Sequence, residues 1–323
     1  SGWSAISGAA GAADVTTPFD LASVSKSFLA TLVSLLVDEG RLSWTTRLAE
    51  LLPELGGTVA GDATLEALLS HRAGLVAHVE LFRGASLGAP FRRADELARA
   101  ARSEGTHSGA LYSDLGYLLV GEGVSRALGR ALDELLDDFV ARPLALDVGS
   151  SRSWQRDPHF FERVAPTELE PSRGGVVRGL VHDDNAWVFG GSGASGHAGL
   201  FGTVKSVLDF GVALVDGVHG EGALSRVVES LVRVRSKEST LRLGFDGISG
   251  PTSLAGRLAS ASTFGHLGFT GTSFWCDPER RAVTVLLTNR VHPTRKNPLL
   301  RAARPEVHDW LWAHADRALS VPG

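Results

Sequence analysis

Positions 28–37 read FLATLVSLLV, a run without charge whose apolar side chains fall on every face of a 3.6-residue repeat. A helix opening near Ser23 and stopping at Gly40 would therefore lie inside the protein. Helical spacing of apolar residues continues through TLEALLSH (64–71), ADELARAAR (94–102), LGYLLVGEGVSRALG (115–129) and ALDELLDDFVARPL (131–144). Beyond about residue 203 the texture changes. TSFWCDPERRAVTVLLTNRV (272–291) predicts two strands joined by an Asp-Pro turn. PEVHDWLWAHADRAL (305–319) predicts an amphipathic closing helix with Pro305 in its first turn. The glycine-rich GGSGASGHAGLFG (190–202) predicts loop and tight turns. A buried helix early, helices in the middle and strands late imply an α/β (α+β) domain made of 1–60 and 195–323, interrupted by a mainly helical domain at 61–194.

Composition narrows the partners. A chain of 323 residues can bury a large core, and its 43% hydrophobic and 21% charged residues are globular values that exclude disorder. A net charge of −4 argues against a nucleic-acid or anionic-membrane surface and leaves small-molecule or neutral polymer partners. The single cysteine, Cys276, excludes an internal disulfide and leaves cytoplasm and periplasm both open. No segment reaches the roughly 18 apolar residues of a membrane span. The chain opens on Ser1 and holds no methionine, so its native N-terminus, with any signal peptide, is expected to have been trimmed.

Candidate chemistry begins with a lysine. Basic residues here are almost all arginine, yet Lys26 stands three residues after Ser23 at the head of the uncharged run. On one helical face the two side chains point together, with Ala30, Val33 and Val37 following. Burial and the positive end of the helix dipole both favour a neutral amine there, able to take a proton from the serine. The plain alternative is a helix start with Ser23 as cap and Lys26 reaching solvent. A second candidate is LYSDLGY (111–117), which holds both tyrosines of the chain, Tyr112 and Tyr117. A phenol beside an ammonium has its pKa lowered and can serve as base or relay. The plain alternative is two half-buried aromatics at the start of a helix capped by Asp114. A third is FGHLGFTGTSFW (264–275), where Gly265 and Gly268 let a substrate approach a strand whose N–H can serve as an oxyanion donor. Its plain alternative is an edge strand with His266 in a turn.

In this order the three pieces resemble the serine β-lactamase and penicillin-binding protein superfamily, in its class C-like branch. That branch includes DD-peptidases, family VIII carboxylesterases and cell-wall-fragment amidases. Its first motif, often inside FDLASVTK, is matched by FDLASVSK; Tyr-x-Asn is matched by Tyr112-Ser113-Asp114, and Lys/His-Thr/Ser-Gly by His266-Leu267-Gly268. The separations, 89 residues from Ser23 to Tyr112 and 154 from Tyr112 to His266, suit that branch. LLSHRAGL (68–75) and GHAGLFGT (196–203) resemble structural landmarks of the family.

The resemblance implies a mainly antiparallel sheet flanked by helices, with a helical insert, and a site in the cleft between them. It implies that Ser23 is acylated, that Lys26 and Tyr112 move its proton, and that the N–H groups of Ser23 and Phe269 form an oxyanion hole. Asp114, His266 and Gly268 would bind substrate; no cofactor or metal is implied. The family also has a helix and a strand before the point where this chain begins, so the sheet is expected to be one strand short. Three departures weigh against efficient cleavage of penicillins or of peptides ending in free D-alanine. Asp114 replaces asparagine and can pair with Lys26, Leu267 removes a hydroxyl donor, and His266 is a cation only below its pKa. VHDDNAWVFGG (181–191) resembles a subgroup of carboxypeptidases and muramoyl-alanine amidases; His182 and Asp184 either line the site or belong to a structural loop.

The residues thus favour a serine hydrolase working through an acyl-enzyme on an ester, amide or D-peptide, including peptidoglycan fragments, over a true class C-like β-lactamase. Two further rivals are a penicillin-binding sensor without turnover and an α/β-hydrolase using Ser86 in GASLG (84–88). The first sits poorly with Tyr112 as a deacylation base. The second lacks a clean strand before the serine and a helix straight after it.

Overall fold

The computed structural model describes residues 2–3, 12–105 and 109–319. The uncharged run forms the α-helix Ser25–Asp38, entered through a 3-10 turn at Ala22–Val24. Residues 25–34 are all buried, as expected of a helix apolar on every face. Phe28 stacks on Phe210 at 4.1 Å between ring centroids, joining this helix to the helix Val204–Val218. Each buried phenylalanine contributes roughly 2 kcal/mol of apolar transfer free energy.

The Val204–Val218 helix lies against an antiparallel sheet with strand order Ala282–Leu286, Ser273–Asp277, Phe264–Leu267, Asp246–Gly247. Gly211 permits the approach: a Cβ there would meet Val283 at 2.5 Å. The two late strands and their Asp-Pro turn are as the sequence predicts, with Trp275 opposite Thr284. Phe264–Leu267 is not an edge strand. It pairs on both sides, and His266 lies within it, 4% exposed. A second sheet of three short antiparallel strands, in the order Phe19–Asp20, Leu200–Gly202, Val148–Ser150, holds the segment just before Ser23. Of positions 1–11, only Gly2 and Trp3 are among the described residues.

The closing helix runs Leu299–Leu319, so Pro305 is inside it and not in its first turn. A proline there removes a backbone donor and crowds the preceding turn. Packing offsets that loss: buried His308 bridges the Ser273 and Thr284 hydroxyls at 2.9 Å each, and Trp312 donates to the Ala255 carbonyl at 2.9 Å. The helix Asp114–Leu128 carries Ser113 as its cap, the Ser113 hydroxyl accepting from the Leu115 N–H, while Asp114 is the first helical residue. Loop 190–199 packs directly on this helix's backbone. A Cβ on Gly196 would lie 1.9 Å from the Tyr117 carbonyl oxygen. Gly196→Ala should therefore cost about 3 kcal/mol or more. A thermal melt unchanged from wild type would refute this close contact.

Candidate active site

Ser23 sits on a constrained turn. Ala22 immediately before it has φ +47°, in the left-handed region unusual for a residue with a side chain. Buried Asp20 stabilises that turn: its carboxylate accepts the Ala22 N–H at 2.8 Å and the His182 N–H at 2.6 Å. Thr270 and Thr272 hydroxyls donate to the carbonyls of Asp20 and Leu21, tying the end of the Phe264–Leu267 strand to the turn. Gly268 allows this, since a Cβ there would meet the Leu21 carbonyl oxygen at 2.5 Å.

The Lys26 ammonium spends three donors on three acceptors: Ser23 Oγ at 2.9 Å, Asp114 Oδ1 at 2.7 Å and the His197 carbonyl at 3.2 Å. The expectation of a neutral amine is overturned. Burial does push its pKa down, but the Asp114 charge, reinforced by Tyr112, outweighs burial and the net shift is upward. Asp114 is held far below the carboxylate range, as the Lys26 charge overcomes its own burial. Asp114, which the sequence offered as a partner for Lys26, decides the outcome: its field at contact exceeds the desolvation it must offset. His78 Nδ1 lies 3.5 Å from the other oxygen of Asp114.

Tyr112 stacks on His71 at 4.6 Å, and its ring centroid lies 5.0 Å from Lys26 Nζ. Its expected acidification is also overturned: burial raises the phenol's pKa, with Asp114 adding to it, and Lys26 offsets only part. His71 Nδ1 accepts the Ser113 N–H at 2.9 Å, and burial with the nearby Lys26 pushes its pKa to about 3, fixing a neutral ring. His266, 6.0 Å from Tyr112 between ring centroids, is likewise pushed to about 3 by burial and Lys26, so it supplies no cation at neutral pH.

These groups share a cleft of about 730 Å³ whose lining includes Ser23, Tyr112, Asp114, His266, Gly268 and Phe269. The arrangement offers a serine hydroxyl hydrogen-bonded to an ammonium, a neutral phenol beside both, and a glycine-bordered strand end opposite. The beta-lactamase family model matches residues 2–308. The chain belongs to the beta-lactamase family. Over 310 residues it is 29% identical to the "Putative D-alanyl-D-alanine carboxypeptidase" of Escherichia coli (strain K12), covering 87% of this chain and 71% of that protein. Its fold is that of the class C beta-lactamase from Rhodobacter sphaeroides (TM-score 0.66, 20% identity, 93% of this chain and 87% of the other). EstCE1, titled a hydrolase with promiscuous acyltransferase activity, has the same fold (TM-score 0.64, 21% identity, 90% and 85% covered).

Within this beta-lactamase family member, the rival serine does not line the cleft. Ser86 ends a single helical turn, Arg83–Ser86, is exposed, and donates to the Arg83 carbonyl at 3.0 Å. Among the described residues no strand element lies between Asp20 and Ser86, so the strand-to-helix elbow of an α/β-hydrolase is absent there. His182 and Asp184 do line the cleft, with His182 stacked on Phe269 at 5.8 Å and bonded to Glu168 at 3.0 Å.

Sequence reasoning missed the cleft's cationic wall of Arg290, Arg295 and Arg304. Arg295 pairs with Glu168, and the Arg290 guanidinium lies 4.6 Å from the Phe269 ring centroid. Arg304 is 7% exposed, reaches only the Thr272 carbonyl at 3.5 Å, and its Nε is buried without a partner among the described residues. Burial and the neighbouring Arg290 push its pKa down to about 10. In a chain that spells most of its basic residues as arginine, no spacing signalled these three.

Proposed function

We propose that the chain is an acyl-enzyme hydrolase acting on amide bonds of peptidoglycan-type fragments, with a carboxylate next to the bond that is cut. The observation that carries this reading is Arg304: a largely buried guanidinium lining the cleft, pressed towards its neutral form by burial and by Arg290, is stabilised by an anion beside it. With Arg290 it replaces the cation that neutral His266 cannot supply, and it makes good the donor lost at Leu267. The likeness to the Escherichia coli carboxypeptidase points the same way.

Ser23 Oγ attacks the carbonyl carbon, and its proton passes to Lys26 once that amine has given up its extra proton. Neutral Tyr112 gives its phenol proton to the departing nitrogen and regains one from Lys26. The N–H groups of Ser23 and Phe269, both on the cleft and neither engaged by another backbone group among the described residues, receive the oxyanion. Water then attacks the acyl-serine as the protons retrace the route.

The test compares kcat/KM for an acyl-D-alanyl-D-alanine with that for its C-terminal amide. The acid should be preferred about tenfold or more, and Arg304→Gln should erase most of that ratio, since a charge-assisted bond contributes about 1.5–3 kcal/mol. Equal rates for acid and amide would remove the carboxylate from the reading. The apolar part of the lining, Phe82, Leu241, Leu267 and Phe269, would then favour a neutral ester substrate.

A further inference from the structure

Asp114 is shared. Its Oδ1 holds the Lys26 ammonium at 2.7 Å, and its Oδ2 faces His78 Nδ1 at 3.5 Å. Lys26 is fully buried, whereas the His78 side chain is 43% exposed on the cleft wall and exchanges protons with water directly. The groups that act most strongly on His78 are acidic: Asp114 at the start of the Asp114–Leu128 helix, Asp183 before the Asp184–Gly190 helix, and Glu80 on its own loop, with the Lys26 ammonium beyond Asp114. Their combined effect, led by the Asp114 hydrogen bond, raises the pKa of His78.

This matters because the resting Lys26 is an ammonium with every proton engaged, and an ammonium cannot take the serine's proton. Base character has to be released. We propose that His78 is a positioning residue for the Lys26 proton: when protonated, it draws on Asp114 from the opposite oxygen, weakens the carboxylate's hold on the ammonium and frees Lys26 to act as base. Two cations sharing one carboxylate are antagonistic, so a proton on His78 makes the one on Lys26 easier to lose. At a separation of roughly 6–7 Å and an effective dielectric near 20, the coupling amounts to about two pH units, which solvent around the half-exposed His78 screens towards about one. The inference rests on the proposed roles of Ser23 and Lys26.

The coupling exists only while His78 is charged, which gives it a signature that a structural role lacks. We would measure kcat/KM for p-nitrophenyl butyrate from about pH 5.5 to about pH 9.5 in wild type, His78→Gln and His78→Lys. The wild type should exceed His78→Gln about tenfold at the acidic end, with the ratio falling towards one at the alkaline end. His78→Lys, cationic throughout, should keep the advantage at the alkaline end. In an Asp114→Asn background the difference between His78 and Gln at a given pH should shrink, because His78 loses the carboxylate that favours its charged form. A wild-type to His78→Gln ratio that stays constant across the range overturns the inference. Ser23→Ala in the same assay separates the failures: turnover that depends on Ser23 with a constant His78 ratio sinks only this inference, while turnover surviving Ser23→Ala sinks the proposed function as well.

Discussion

Ser23→Ala should lower kcat/KM for p-nitrophenyl butyrate by at least about a thousandfold, while Ser86→Ala keeps the wild-type rate. A neutral activated ester is the right probe, because it needs the nucleophile and the oxyanion donors but not the arginine wall. The two serines differ in surroundings more than in sequence. Ser23 follows a strained left-handed residue, receives a hydrogen bond from a buried ammonium and opens on the cleft. Ser86 is exposed at the end of one helical turn with only a local carbonyl for company. Replacing Ser23 removes the atom that would form the acyl bond, so residual turnover would come only from activated water. If Ser23→Ala retained its rate, the cleft would lose its nucleophile and every role built around it.

Asp114→Asn should move the ascending limb of the pH–rate profile at least about one unit lower and also destabilise the fold. Both effects follow from the same pair. Lys26 has a folded pKa raised above its unfolded value. Its share of the stability is therefore complete below the unfolded lysine pKa and is lost as pH climbs through the folded value. Asp114 has a folded pKa below its unfolded value, so its share is present above the unfolded carboxylate pKa and lost as pH falls through the folded one. At neutral pH the pair is fully in force. Replacing the carboxylate by an amide keeps an acceptor oxygen but removes the charge, leaving a 0%-exposed ammonium uncompensated. The cost should be about 3 kcal/mol, read as a lower melting temperature at pH 7, with the deficit shrinking in acid as the wild type loses its own carboxylate charge. A limb that stays put would show that Asp114 does not govern the proton on Lys26.

Much of the fold was legible because its signals are local. The uncharged run at 28–37 could only be a buried helix, and the Asp-Pro turn between two β-rich runs could only be a hairpin. The closing helix was misjudged at its start because proline's local cost was read without the packing that offsets it. His308 and Trp312 hold that helix to the sheet and to the loop carrying Ala255. Likewise, the plain alternative of an edge strand at Phe264–Leu267 fails on its pairing with Asp246–Gly247, a short segment with no periodicity of its own.

For the candidate site the sequence by itself determined which chemistry-bearing residues to look at: Ser23 and Lys26 one helical turn apart, Tyr112 with Asp114, and the glycine-spaced strand end at 265–268. It also put Ser23 and Lys26 on one helical face, and the structure brings the two side chains together at 2.9 Å. Protonation states were decided only by the tertiary structure. Whether a buried lysine is an amine or an ammonium depends on what stands opposite it, and that partner lies 88 positions away in the chain. The arginine wall is a tertiary fact for the same reason: Arg290, Arg295 and Arg304 share a cleft with Ser23 only because the fold brings the end of the chain back to the Ser23 turn. Helical and strand periodicities act over a few residues and survive in the sequence, whereas electrostatic fields add up over whatever the fold brings within a few ångströms.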